Sequence, residues 1–326
     1  MKSKATDITQ SRNLAGRTAG AGGFLIMPGR ASFRFGRAMT TGHKFMASAT
    51  LGLLLSLPCV ANAQQYNFTT IDLVGSTRVS VNGNSVTAVA GGFDDTTGNT
   101  HGFILNKDTF TTVDVPGADG TELNGINASG AFTGTYFDSN AGRNFAFVWR
   151  NGVLTSLDPV GSIHSQGGFI NAQGDVVGGY RNSNGRRLAF LWSKGVFTTI
   201  DPSPAASVGP VAFGINDRGQ IVGTYVDTDD NRHGFLLSGG SYTALDVPGA
   251  VFTVAQGINN IGQIAGLYLG TDDTFHGFVL SGGVYTTVDV PGSTSTSIYS
   301  INAKGEIAGS YDDADGTHGF LAIPAH

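Results

Sequence analysis

Four histidines recur at one place in a repeated pattern: His101-Gly-Phe103, His233-Gly-Phe235, His276-Gly-Phe278 and His318-Gly-Phe320. Imidazoles at fixed spacing suggest a metal, but Phe145 and Leu188 hold the same place in two further copies, which makes it a packing position. Zinc needs its ligands closed around one ion, and copies one repeat apart do not converge. Acidic turns offer a second chemistry, in Asp94-Asp95, Asp227-Thr-Asp-Asp-Asn231, Asp272-Asp273 and Asp312-Asp-Ala-Asp-Gly316. Asp227, Asp229 and Asn231 alternate like the opening of a calcium loop, yet Arg232 stands where Gly is needed and no bidentate Glu follows. A solvated hairpin turn is the preferred reading, calcium is the alternative, and no other cofactor is expected.

The third chemistry is cationic. Arg143, Arg181, Arg186 and Arg187 lie in two neighbouring copies, with His164 in the crossing between them and Trp149 and Trp192 ending a strand in each. Arginine with aromatic residues suits an interface, and a sugar acid or an acidic partner suits the charge. The structural alternative is that each Trp fills a corner where other copies use Leu.

Catalytic groups are sparse. There is no Gly-x-Ser-x-Gly, no His-Glu-x-x-His and no phosphate-cradling Gly loop. The innermost strands, such as Leu123-Asn-Gly-Ile126, Phe213-Gly-Ile215 and Gln256-Gly-Ile258, read as small, amide and apolar. The preferred reading is therefore a binding or interaction module, for carbohydrate or another exported protein. A polysaccharide hydrolase or lyase using Asp229 or Asp273, and a structural surface component, are the alternatives.

The elements that position these residues follow from a repeat. Phe110-Thr-Thr-Val-Asp114, Leu154-Thr-Ser-Leu-Asp158, Phe197-Thr-Thr-Ile-Asp201, Tyr242-Thr-Ala-Leu-Asp246 and Tyr285-Thr-Thr-Val-Asp289 start 44, 43, 45 and 43 residues apart. That period suits four short strands per unit. Between the first two strands sits Asn-x-x-Gly, led by Asn127, Asn171, Asn216, Asn259 and Asn302. The Asn side chain can bond backbone two residues on, and Gly can take the positive φ of a tight turn. Asp114, Asp246 and Asp289 each precede Val-Pro-Gly and are expected to cap that corner through an Asx-turn.

Sheets with apolar residues on both faces must stack on one another, and a ring of blades leaves only short edges. Six repeats predict an all-β, six-bladed β-propeller with four antiparallel strands per blade. The ring would be closed by an N-terminal strand, 66–72, completing the last blade. Phe103, Phe147, Phe190, Phe235, Phe278 and Phe320 recur at one position and are expected in the core.

The His/Phe-Ala/Gly-Phe tracts and the Gly-Ile-Asn-x-x-Gly segments, taken together, resemble the bacterial extracellular HAF repeat family. The resemblance covers essentially all of residues 64–326 and implies a secreted bacterial repeat protein with no established activity.

Residues 1–63 read as a basic leader and signal peptide. Lys44 precedes an apolar run from Met46 to Ala61, and Ala61-Asn62-Ala63 predicts cleavage after Ala63. Met39 or Met46 is an alternative start. The protein is then extracellular or periplasmic, one propeller domain from 64 to 326, and monomeric. The leader holds 8 of the 19 basic and 1 of the 24 acidic residues, leaving 11 against 23 and a net charge of −12. Nucleic acid and anionic membrane are not expected as partners. The one cysteine, Cys59, lies in the leader, so no disulfide is expected after it.

Overall fold

The computed structural model describes residues 65–203 and 208–325. The expected leader and its cleavage point lie outside them. The described residues are organised entirely as strands and turns. The first strands are β1 (Tyr66–Ile71), β2 (Ser76–Asn84), β3 (Val89–Asp95), β4 (Thr100–Asn106) and β5 (Thr109–Val113). Next come β6 (Gly120–Ile126), β7 (Phe132–Asp138), β8 (Arg143–Arg150) and β9 (Val153–Leu157), then β10 (Ser162–Ile170), β11 (Val176–Asn182), β12 (Arg187–Ser193) and β13 (Val196–Ile200). They continue with β14 (Val211–Ile215), β15 (Ile221–Val226), β16 (Arg232–Ser238) and β17 (Ser241–Leu245), and with β18 (Phe252–Ile258), β19 (Ile264–Leu269), β20 (Phe275–Ser281) and β21 (Val284–Thr287). The last are β22 (Ser295–Ile301), β23 (Ile307–Asp312) and β24 (Thr317–Pro324).

Each run β6–β9, β10–β13, β14–β17 and β18–β21 is a four-stranded sheet in chain order. The remaining strands form one eight-stranded sheet, β22-β23-β24-β2-β3-β4-β5, with β1 antiparallel to β24. Its two halves meet through a single parallel pairing, Arg78 with Thr317. Ala325 N donates to Gln65 O at 2.7 Å, so the two ends of the described chain lie together.

Turn chemistry sets the hairpins. Gly130 N donates to Asn127 O at 3.0 Å with Gly130 at φ 81°, and Asn127 Oδ1 accepts the amides of Ser129 and Ala131. The same side chain also reaches forward. Asn127 Nδ2 donates to Asn171 O, Asn171 to Asn216 O, Asn216 to Asn259 O, Asn259 to Asn302 O and Asn302 to Ser85 O, at 3.0 to 3.4 Å. One residue type therefore closes its own turn and links its sheet to the next.

The first strands are innermost. A Cβ built on Gly83 would stand 2.9 Å from Asn124 O, on Gly125 2.9 Å from Phe169 Cα, on Gly214 2.6 Å from Gln256 O and on Gly257 2.9 Å from Ile301 N. Only glycine lets these backbones approach so closely. A register shift beside each of these glycines marks a bulge, which tightens the local twist.

Apolar packing runs from sheet to sheet. Ala90 of β3 packs with Leu123, Ile126 and Phe147. Val177 and Ala189 pack with Ala212, Ile215 and Phe235. Ala308 and Leu321 join Val79, Val81 and Phe103. The packing thus returns to the β2–β5 strands, where it began, and this is a β-propeller arrangement. Phe103, Phe147, Phe190, Phe235, Phe278 and Phe320 are all at most 1% exposed, each burial stabilising by roughly 2–3 kcal/mol.

Candidate functional site

Strand pairing assembles a basic row. His164 in β10 stands opposite Arg181 in β11, which stands opposite Arg187 in β12. Residues directly opposite in an antiparallel pair project from the same face, so an imidazole and two guanidiniums share one face at one rim of the sheet. Arg232, the first residue of β16 in the adjacent sheet, adds its charge to Arg187, and its guanidinium lies 5.3 Å from the Phe252 ring centroid.

Burial, together with the charges of Arg181 and Arg232, lowers the Arg187 pKa to about 10. Burial and the charges of Arg181 and Arg143 also hold His164 below the usual imidazole range. Its Nδ1 accepts the Asn144 amide at 3.4 Å, as a neutral ring can. Like charges directly opposite in a sheet are destabilising. An oxyanion among them would relieve that cost and accept charge-assisted hydrogen bonds.

The other expected site residues are placed differently. Arg143 Nη2 is 2.6 Å from Asp158 Oδ2, its Nη1 donates to Ser162 O at 3.0 Å, and its guanidinium lies 4.0 Å over Phe145. Arg186 forks onto Asp201 at 2.6 and 3.1 Å and donates to Ser203 O. Both guanidiniums are thus engaged inside the fold. Trp149 stacks on Phe132 at 6.0 Å and 8°, and Trp192 packs on the cluster around Val176. Trp149 is six residues from Arg143 along β8, which places them roughly 20 Å apart. The tryptophans therefore belong to the opposite rim from the basic row, so the structure does not assemble aromatics and cations into one patch.

The recurring histidines have a role beyond packing. His101 lies between Asp114 (3.1 Å) and Asp95 (3.4 Å), and His233 between Asp246 (2.9 Å) and Asp227 (3.1 Å). His276 lies between Asp289 (2.8 Å) and Asp272 (3.2 Å), and His318 between Asp72 (2.9 Å) and Asp313 (3.1 Å). Only an imidazolium can donate from both nitrogens. Burial alone would lower the pKa of His101, His233 and His276, but the paired carboxylates outweigh it; for His318 the bond to Asp72 is itself the largest influence, and all four are raised.

Where Phe145 and Leu188 replace histidine, Arg143 and Arg186, two residues earlier, take over the strand-ending Asp158 and Asp201. The aspartates at this corner, including Asp114, Asp246 and Asp289, therefore bond basic side chains, where an Asx-turn was expected. The turn itself is closed by backbone, as in Ala118 N to Val115 O at 3.0 Å, with Gly117 at φ 84°.

Asp227 Oδ1 accepts the amides of Asp229 and Asn231 at 2.9 and 2.8 Å, and its other oxygen faces Asn231 Nδ2 and His233. Those contacts, the Asn231 amide first, hold its pKa at about 2. Asp229 and Asn231 are exposed on this turn. Among the described residues no group of three or more His, Cys, Asp or Glu is placed to hold a metal ion.

The expectation of innermost strands with only small, amide and apolar residues is corrected by Arg78 and Glu122. Arg78 forks onto Asp94 at 2.7 and 3.2 Å and comes within 3.8 Å of Glu122, which also accepts from Asn82 Nδ2 at 3.1 Å. Glu122 stands one residue before the stretch whose composition suggested an uncharged axis. Arg232 was also passed over, since in sequence it only spoiled a calcium loop.

No family model and no curated protein matches the chain. Solved structures that it resembles include a fungal lectin from Aleuria aurantia with a six-bladed β-propeller fold, at 13% identity over 78% of this chain and 98% of that chain, TM-score 0.47. AofleA from Arthrobotrys oligospora gives 11% identity over 81% and 94%, TM-score 0.48. The β-propeller domain of the Trilobed protease from Pyrococcus furiosus gives 8% over 77% and 96%, TM-score 0.48. At such values the likeness says nothing of a ligand.

Proposed function

We propose that residues 64–326 form an exported propeller that serves as a binding module for an anionic ligand, seated on His164, Arg181, Arg187 and Arg232. The observation that carries this reading is the pairing of Arg181 directly opposite Arg187, with a third guanidinium, from the next sheet, acting on Arg187. Like charges directly opposite in a sheet repel, and an anion seated among them would offset that repulsion. An acidic carbohydrate or an acidic exported protein fits this chemistry.

Six blades are part of the same proposal. The eight-stranded sheet divides at its single Arg78–Thr317 pairing into β2–β5 and β22–β24, and β1 supplies the fourth strand of the latter. Export rests on the apolar run ending in Ala61-Asn62-Ala63, and the HAF-repeat resemblance accords with it.

The test is calorimetric titration of the full chain with sulfate, galacturonate, polygalacturonate and poly-L-glutamate. Saturable binding to at least one, weakened by salt and lost in Arg181→Gln/Arg187→Gln with an unchanged circular dichroism spectrum, is expected. Absence of binding to every anion overturns the reading.

A further inference from the structure

The innermost strands share a bulge, and the residue it frees differs from strand to strand. In β2, Val81 pairs with Gly91 and Gly83 with Ala90, so Asn82 between them is unopposed. The same slip leaves Asn124 of β6, Phe213 of β14, Gln256 of β18 and Tyr299 of β22 unopposed. In β10 it spans Gly168 and Phe169, and Phe169 packs against the cluster around Ala212 and Phe235. A bulge re-aims the side chain that it frees. Asn82, Asn124, Phe213 and Tyr299 are half-buried, although the residues before and after each are buried. On innermost strands, the open space they reach is the axis of the propeller.

Hydrogen bonds run along this ring. Asn82 Nδ2 donates to Glu122 Oε1 at 3.1 Å and to Leu123 O at 2.9 Å, and Asn124 Nδ2 donates to Gly167 O, so each amide leans toward the next innermost strand. Burial raises the Tyr299 phenol, and the charges of Glu122 on β6 and Arg78 on β2 also reach it. Gln256 is 6% exposed, and its amide makes no hydrogen bond among the described residues. A buried amide left unbonded is destabilising, so its partner must come from outside the chain.

Packing positions on these strands agree with one another. Two residues beyond the bulge stand Ile126, Ile170, Ile215, Ile258 and Ile301. The bulged position instead reads Asn, Asn, Gly, Phe, Gln and Tyr in chain order. A ligand that lacks the symmetry of the ring asks for a different group on each side. An amide both donates and accepts, as a hydroxyl does, whereas an ammonium only donates and a carboxylate only accepts. Phe213 lies on the strand next to Gln256, where a Cβ on Gly214 would stand 2.6 Å from Gln256 O, and it offers an apolar face. Arg78, Asp94 and Glu122 together carry one negative charge, which disfavours an anion here.

Independently of the anion-binding reading, we infer that the axis is a second site and that it takes a neutral sugar ring. Gln256, Asn124 and Glu122 bond its hydroxyls, and Phe213 covers its apolar face.

The experiment is calorimetric titration of the full chain, and of its Arg181→Gln/Arg187→Gln variant, with glucose, galactose, mannose, galacturonate and choline. The double variant removes the basic row, so charged probes there report on the axis alone. At least one neutral sugar should bind saturably to both proteins with affinities within about twofold, and in the double variant at least about tenfold more tightly than galacturonate or choline. Gln256→Met and Phe213→Ala should each weaken that sugar by about tenfold. Gln256→Met conserves volume and removes an unbonded amide, so its melting temperature should equal or exceed that of the parent, which separates lost binding from lost folding. Sugar binding lost in the double variant but kept in Gln256→Met overturns the axial site and assigns the sugar to the basic row. Choline or galacturonate binding most tightly to the double variant overturns the neutral ligand. No binding of any neutral sugar overturns the inference and leaves the anion reading to its own test.

Discussion

Replacing Asn259 tests the double duty of the turn asparagines. Asn259 is 4% exposed, its Oδ1 accepts Gln263 N at 3.0 Å, and its Nδ2 donates to Asn302 O at 3.1 Å and Gln263 Oε1 at 2.8 Å. Asn259→Ala strands the Gln263 amide and removes one of the two hydrogen bonds to the Asn302 carbonyl, which keeps the Gly305 amide at 3.0 Å. A buried polar group left unsatisfied costs about 1–3 kcal/mol, and the loss should lie in that range. For a domain near this size each kcal/mol moves the melting temperature by roughly 2–4 °C, giving a fall of roughly 2–12 °C. Asn259→Asp is the sharper variant: it keeps the acceptor for its own turn and sets a carboxylate oxygen against the Asn302 carbonyl. Scanning calorimetry and urea titration should show the Asp variant at least as destabilised as the Ala variant. An Asp variant as stable as the parent would refute the forward link, because turn closure alone would then explain the residue.

The bracketed histidines predict a stability optimum in mild acid. Each His pKa is raised on folding, so its contribution is complete below the unfolded value near 6.5 and lost as pH rises through the folded value. Asp95, Asp227, Asp272 and Asp313 are lowered, so their contribution is present above about pH 4 and lost on further acidification. Melting temperature should therefore peak between about pH 4.5 and 6.5, and a profile still rising from pH 6 to 8 contradicts the brackets. Arg186→Gln should lower stability by breaking the Asp201 fork yet leave anion affinity within about twofold, unlike its neighbour Arg187→Gln; equal losses of affinity would show the two arginines sharing one task. Phe235→Ala, at a fully buried site, should cost about 3–5 kcal/mol in urea titration, and a cost under about 1 kcal/mol would mean the cluster is not packed as described.

The repeat was legible because its signals are local. Asn-x-x-Gly turns, Val-Pro-Gly corners and one phenylalanine per unit act on their own hairpin or core layer, so spacing alone places them. The basic row was legible only in part. His164, Arg181 and Arg187 were singled out by charge, but pairing register decides that they face one another, and register is set by bulges and turns on three strands at once. Arg143 and Arg186 looked equivalent to them. Their carboxylate partners lie 15 residues away, just past the end of the next strand, and the exchange of His for Phe145 or Leu188 hides the compensation, since the replacement cation sits two positions earlier. The tryptophans misled because nearness in sequence ignores strand direction, which carries Arg143 and Trp149 to opposite rims.

The asparagine links pass forward from Asn127 through Asn302 and arrive at Ser85 O, and Ser85 has no side chain able to send one on toward Asn127. The hairpin that follows Ser85, with Val86 and Thr87 exposed at its tip, receives that tie and sends none toward Asn127, while Asn84 at its root bonds back to Glu306 O at 2.9 Å. An engineer wishing to rewire residues 65–325, by joining Gln65 to Ala325, which already touch, and cutting elsewhere, should cut between Val86 and Thr87. New termini there would leave the asparagine links intact, whereas the same cut in the turn after Asn216 would disturb its links to Asn171 and Asn259 and those of Asp217 to Ala172 and Asn260.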